Sequence, residues 1–337
     1  MASKFLKSVF LFSVPFYCLA QSPNVKALKT EYLVNPLGLD NAMPRFTWQM
    51  DDNRLGAKQT AYRILVNTDS VALTQGKAVQ WNTGWLATSD NLKIYSGQLL
   101  KPFTKYFWRV DIADQNNIKS TKVKIASFEM GMMKAENWQG AWISDNQNIN
   151  LKPAPYFRKV FDASKKIKSA RAYITAGGLY ELSLNGEKVG NHRMDPTYTR
   201  FDRRNLYVTH DVTKHLQTGK NAIGVTLGNG WYNHQSTAVW DFERAPWRNR
   251  PTFCMDLRIT YTDGTVEVVT SGKDWKTDLS PIIFNSIYTA EHYDARLEQK
   301  GWNTANFDDS KWKRVINRSA PSQNVVAQAL HPVRNVE

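Results

Sequence analysis

Apolar side chains in this chain recur at every second position, in runs too short and too often interrupted to build a long helix. Arg45-Phe-Thr-Trp-Gln-Met50 alternates Phe46, Trp48 and Met50; Ala61-Tyr-Arg-Ile-Leu-Val66 alternates Tyr62, Ile64 and Val66; Lys105-Tyr-Phe-Trp-Arg-Val-Asp111 alternates Tyr106, Trp108 and Val110. Ile125-Ala-Ser-Phe-Glu-Met130 closes this first set. A period of two places alternate side chains on one face of a strand, and the Gly, Asn and Pro residues between runs supply the turns. The spacing predicts an immunoglobulin-like or fibronectin III-like β-sandwich over 24–131, with Trp48 in the core and Tyr106 at a strand corner.

The second half repeats the pattern with different turns. Tyr180-Glu-Leu-Ser-Leu-Asn-Gly-Glu-Lys-Val-Gly190 reads as a hairpin, because Asn185-Gly186 supplies the two positive-φ residues that a type I′ turn needs. Leu257 to Thr270 reads as another, turning at Asp263-Gly264, and Asn221 to Gly228 as a buried strand. Asp211-Val-Thr-Lys-His-Leu216 reads as a short helix or turn with Asp211 as its cap. The expectation is an all-β chain of two sandwiches, the second an antiparallel jelly roll over 154–320. Residues 132–153 are expected to form a packed linker anchored by Trp138 and Trp142, and 321–337 a tail or the start of a next β-domain.

The N-terminus carries Lys4 and Lys7, an apolar run from Ser8 to Cys18, and Ala20 before Gln21. That order predicts a secretory signal peptide over 1–20 and a periplasmic or extracellular protein. The run is too short for a membrane span, and Pro-Phe-Tyr before Cys18 lacks the small residues of a lipoprotein signal, so no membrane anchor is expected. Cleavage leaves Cys254 alone, and its strand-like surroundings mark it as a small buried hydrophobe rather than a nucleophile. The net charge of +14 comes from scattered Lys and Arg without a nucleic-acid motif, so no nucleic-acid partner is expected.

Several separated motifs, in order, resemble one family. Glu31 to Asp40, Pro44 to Trp48 and Gln59 to Val66 are similar to the first, immunoglobulin-like domain of bacterial α-L-rhamnosidases of glycoside hydrolase family 78. Trp138-Gln-Gly-Ala-Trp-Ile143 resembles their junction. Ala172 to Gly190, Leu227-Gly-Asn-Gly-Trp-Tyr232 and Ser286 to Trp312 resemble their second, galactose-binding-like domain. The departures are Ala290, where Gly is expected, and the end at Glu337, where the family would continue into a further β-domain and an (α/α)6 barrel that holds its acid and base carboxylates. The resemblance therefore implies the N-terminal part of a secreted α-L-rhamnosidase, with the missing catalytic domain and a rhamnose-containing glycan as partners, and no catalytic residue is carried over. Two other readings stay open: a free-standing carbohydrate-binding or adhesion protein, and a small complete enzyme.

Glycoside hydrolysis needs two carboxyls flanking one bond. Glu291, Asp294, Asp308 and Asp309 are the nearest approach, but Glu291 reads better as an ion pair with Arg296, and Asp308 as a turn cap. The six His, at 192, 210, 215, 234, 292 and 331, show no metal-ligand spacing. Sugars lay apolar C–H faces on aromatic rings while amides and carboxylates take their hydroxyls. Asn229, Trp231, Tyr232 and Asn233 offer both kinds of group at a strand end, with Asp202 in a facing loop; the other reading of the same residues is a turn with Trp231 buried. Some modules that resemble this domain bind L-rhamnose through calcium, which implies Asp202 as an acidic calcium ligand. This chain has Arg203 where those modules place Asn.

Overall fold

The computed structural model describes residues 22–237 and 240–335; the expected signal peptide lies outside them. Seven strands form the first sandwich: β1 (Asn24–Thr30), β2 (Arg45–Asp51), β3 (Gln59–Asn67), β4 (Trp81–Asn82), β5 (Leu92–Ile94), β6 (Lys105–Asp114) and β7 (Ala126–Glu129). They pair as β1-β2-β5 and β4-β3-β6-β7. The alternation decides which faces are buried: Phe46, Trp48, Tyr62, Ile64, Tyr106 and Trp108 all point into one core. Phe46 stacks on Trp108 at 4.5 Å and Trp48 meets Tyr62 edge-on at 4.8 Å. Both indoles satisfy their N–H, on Gln59 (2.8 Å) and Thr30 (3.0 Å), as buried Trp requires. The hydroxyl of Tyr106 accepts from Lys101 N at 2.9 Å, the corner expected of it.

The second sandwich comprises β8 (Ile143–Ser144), β9 (Pro155–Ala163), β10 (Ile167–Gly177), β11 (Leu179–Leu184), β12 (Glu187–Lys188), β13 (Asn205–Asp211), β14 (Gly219–Gly228), β15 (Thr252–Tyr261), β16 (Val266–Thr270), β17 (Lys276–Leu279), β18 (Ile282–Ser286), β19 (Ala290–Tyr293), β20 (Lys313–Arg314), β21 (Ile316–Asn317) and β22 (Val325–Ala327). One sheet runs β21-β8-β15-β10-β13-β22 with β16 on β15; the other runs β12-β11-β14-β9-β17-β20. Ile174, Leu227, Phe253, Met255 and Trp275 fill the space between them. The predicted turn between β11 and β12 has Asn185 at φ 51 and Gly186 at φ 90. Asp211 ends β13, and its carboxylate accepts from Thr213 N (3.1 Å) to start a 3-10 turn over Thr213–His215. The stretch read as a linker lends β8 to the first of these sheets, and the stretch read as a tail lends β22 to its edge. Cys254 is buried on β15, and burial pushes its thiol pKa up. Among the described residues, no helix is long and apolar enough to cross a membrane.

The segment Gly301 to Trp312 folds as a clasp over β9. Trp302 stacks on Tyr156 at 3.9 Å with planes 10° apart, and Trp312 continues the stack. Gly224 makes room, since a Cβ there would lie 2.8 Å from the Trp302 ring. Arg158, 1% exposed, donates to the carbonyls of Trp302 and Thr304 (both 2.8 Å) and to the Asp309 carboxylate. Asp308 accepts from Ser310 N (2.9 Å) as a turn cap. The expected Glu291–Arg296 pair does not form. Arg296 pairs with Asp294 at 2.6 Å, whose carboxylate also accepts from Arg296 N (3.1 Å), so the shorter local loop wins.

The sandwiches meet in a packed junction. Met132, Tyr173 and Tyr207 are buried together, with Phe103, Trp138, Val325 and Ala327 against them. Asp40 binds this junction from the first domain: Oδ1 accepts from Tyr207 Oη (2.5 Å) and Met133 N (2.7 Å), and Oδ2 from Ala327 N (2.8 Å). Arg171 and Glu129 add a two-pronged ion pair at 2.8 and 2.9 Å.

Candidate functional site

β14 ends at Gly228, and Gly230, at φ 49, turns the chain out of the sheet. A side chain at Gly230 would also press on Leu179, 3.0 Å away. The turn closes through Asn229 O, which accepts from Tyr232 N and Asn233 N, both at 3.1 Å. The turn divides the sequence-predicted residues into two groups.

Asn229, Tyr232 and Asn233 are buried. Asn229 ties the strand end to β18: its N donates to Asn285 Oδ1 (2.7 Å) and its Nδ2 to Asn285 O (3.1 Å). Asn233 Nδ2 donates to Ile149 O (3.0 Å) and to Asn229 Oδ1 (3.2 Å). Tyr232 lies over Gly177, where a Cβ would come within 2.9 Å of its ring, and burial lifts its phenol pKa to about 12. These three residues are the frame of the loop, and their polar atoms face inward.

Trp231 is half-buried and belongs to a surface aromatic face. Its Nε1 donates to Tyr288 Oη at 2.7 Å, and its ring lies 5.4 Å from Tyr198. Tyr288 in turn lies 5.6 Å from Trp240. Trp240, Tyr288 and Tyr198 are 64%, 44% and 37% exposed, unusually open for large aromatic rings. The face is assembled from three connections, those after β12, after β14 and between β18 and β19. Tyr198 and Tyr288 escape a sequence reading because each stands alone in its own loop. The one available signal was an aromatic at a hairpin tip, in Ser286-Ile-Tyr-Thr-Ala290.

A groove of about 580 Å³ continues from this face, sharing Gly230 and bordered by Leu179, Met194, Arg193, Asn285 and Glu291. The rings thus stand beside a largely apolar groove that also carries Glu181, Arg193 and Glu291. Asp202 lies near the same end. Burial raises the Tyr198 phenol pKa, and the adjacent Tyr288 and Asp202 raise it further while Arg200 opposes them. The Asp202 carboxylate is held by Arg200 Nε (2.9 Å) and Nη2 (3.2 Å), and this guanidinium keeps its pKa below the usual carboxylate range. Calcium takes six to eight oxygen ligands. A calcium ion at Asp202 would have to displace the Arg200 guanidinium from that carboxylate, and Arg203 follows it in the chain.

Three of the four candidate carboxylates of hydrolysis, Asp294, Asp308 and Asp309, have structural partners. Asp294 is bound to Arg296, and Asp309 lies between Arg158 and Lys276 (2.6 Å from the latter). Glu291 stays exposed at the groove edge; Glu181, across the groove, is paired with Lys188.

Comparisons with known proteins bear on the whole chain. Residues 165–337 match the family model of the α-L-rhamnosidase N-terminal domain, and residues 25–134 that of the Rha78A-like N-terminal immunoglobulin domain. An α-L-rhamnosidase of Formosa agariphila is 32% identical over 90% of this chain and 34% of its own length. One of Alteromonas sp. (strain LOR) is 32% identical over 98% of this chain and 37% of its own. The chain thus spans about a third of the length of these curated relatives. The α-L-rhamnosidase structure from Dictyoglumus thermophilum superposes with a TM-score of 0.84 at 36% identity, over 93% of this chain and 36% of that one. The Streptomyces avermitilis enzyme, solved with L-rhamnose, gives 0.87 at 22% identity, over 94% and 47%, and shows the shared fold.

Proposed function

The chain belongs to the α-L-rhamnosidase N-terminal domain family, and on that premise we propose that it is the non-catalytic, sugar-holding N-terminal part of an exported α-L-rhamnosidase. The observation that carries this reading is the pair of family matches, in order, over 25–134 and 165–337, against relatives of which the chain spans only about a third. The substrate of the whole protein is then a glycoside or polysaccharide ending in α-L-rhamnose. The two sandwiches act as scaffold, and the aromatic face of Tyr198, Trp231, Trp240 and Tyr288 as the sugar platform.

The chemistry of that face supports the platform. A deoxysugar presents a methyl group and C–H bonds that bury well on aromatic rings, while its hydroxyls need charged or amide partners such as those along the groove. On this reading Trp231 contacts sugar, and Asn229, Tyr232 and Asn233 hold its loop. The test is direct. Purified chain incubated with an aryl α-L-rhamnoside should release no more aryl alcohol than buffer. Release that disappears in Glu291→Gln would make the chain an enzyme in its own right and overturn the reading.

A further inference from the structure

Two of the six histidines that look scattered in the sequence meet in the fold, with a carboxylate between them. His192 and Asp195 stand in the loop after β12, and His210 stands on β13. Their ligand-type atoms, one from each residue, all lie within 4.8 Å of one another. Asp195 and His210 are buried; His192 is half-buried.

The surroundings hold these groups as outer partners hold metal ligands. Tyr180 Oη sits 2.8 Å from His210 Nε2, leaving Nδ1 toward Gly190. Gln328 Nε2 donates to Asp195 Oδ1 (3.1 Å), leaving Oδ2, which now meets His192 Nδ1 at 2.8 Å. A hydrogen bond to the far nitrogen of a ligating imidazole, or to the second oxygen of a ligating carboxylate, fixes tautomer and orientation.

We propose that His192, Asp195 and His210 form a binding site for a first-row transition-metal ion, with zinc the ion that two imidazoles and one carboxylate suit best. His210 ligates through Nδ1 because Tyr180 holds Nε2. His192 joins through Nδ1, with its ring proton moved to Nε2. The His192 and Asp195 atoms, now 2.8 Å apart, then part slightly and His210 closes on them, to about 3.3 Å between neighbouring ligands at zinc distances. A groove of about 400 Å³ bordered by His192, Gln328 and His331 adjoins the site. The fourth position is filled from that groove, by water or by His331.

The site would fasten the C-terminal segment to the second sandwich. Gln328 already bridges Asp195 and Thr197 N (2.7 Å), and Arg193 N donates to Val333 O (2.9 Å). A metal between His192 and His210 would make this clamp dependent on the ion. The role is structural and does not draw on the sugar platform, so it stands or fails separately from it.

The experiment uses untagged chain, stripped with chelator and titrated with zinc by calorimetry, then with cobalt(II) to read coordination from its visible absorption. Expected are one zinc per chain, a higher melting temperature with zinc, and a tetrahedral cobalt spectrum. His192→Ala should weaken zinc at least about tenfold and abolish the spectrum, and its melting temperature, lowered in the metal-free chain by the loss of the Asp195 partner, should no longer rise with zinc. His234→Ala should leave the zinc affinity and the cobalt spectrum unchanged. Absence of stoichiometric binding, or binding equally tight in His192→Ala and in Asp195→Asn, overturns the proposal.

Discussion

Arg158 offers the sharpest test of why the Gly301–Trp312 segment looks as it does. The guanidinium is 1% exposed and holds three acceptors: two main-chain carbonyls at 2.8 Å and the Asp309 carboxylate. Its plane also lies over Phe307, 5.4 Å from the ring centre. Arg158→Met keeps the apolar stem and removes every one of these bonds. Removing one partner from a buried ion pair costs about 3–5 kcal/mol. Asp309 is 25% exposed and keeps Lys276 at 2.6 Å, which places the cost near the lower end, at about 3 kcal/mol. For a domain of this size each kcal/mol moves the melt by about 2–4 °C, so a fall of roughly 6–12 °C is expected. Circular dichroism in the near ultraviolet reads the Trp302–Tyr156–Trp312 stack, which should loosen with the clasp. Arg158→Lys should recover little, because an ammonium cannot serve three acceptors in one plane. A melt within about 2 °C of wild type, with the aromatic signal intact, would show that the clasp is held by stacking alone.

Other outcomes follow from the junction and the first core. Gly131→Ala would put a Cβ 2.0 Å from the Tyr207 hydroxyl, so the junction should open and expose 132–142 to limited proteolysis; an unchanged digestion pattern would count against its rigidity. Burial raises the Asp40 pKa despite its three donors, so its contribution to stability is whole below about pH 4 and is lost as pH rises through the raised value. The stability difference between wild type and Asp40→Asn, followed by urea unfolding, should therefore shrink from acid toward neutral pH; growth in that direction contradicts the assignment. Tyr106→Phe leaves Lys101 N without its acceptor and should cost about 1–2 kcal/mol in the same assay, and a loss under half of that would deny the corner a role.

Period-two patterning made the strands and both hairpins legible, because each alternation states which face is buried without reference to anything distant. The β11–β12 turn was legible for the same reason: Asn185-Gly186 carries its own backbone requirement. What eluded the sequence depends on neighbours far along the chain. Asn229 and Asn233 look like sugar-binding amides, yet Asn285 and Ile149 claim them, and those residues are 56 and 84 positions away. Tyr198 and Tyr288 read as isolated loop aromatics until the fold sets them around Trp231. The pairing of β8 and β22 with the second sandwich was hidden because two- and three-residue strands carry too little pattern to announce themselves.

The central claim is that this chain holds sugar on an aromatic face, and calorimetric titration with L-rhamnose tests it most directly. The wild-type chain should bind weakly, with about −4 to −6 kcal/mol of free energy. Trp231→Ala should abolish the heat while the melting temperature holds, since Trp231 is only half-buried and its loop is secured by Asn229 and Asn233. No heat from the wild-type chain at millimolar sugar, or the same heat from Trp231→Ala, would contradict the account.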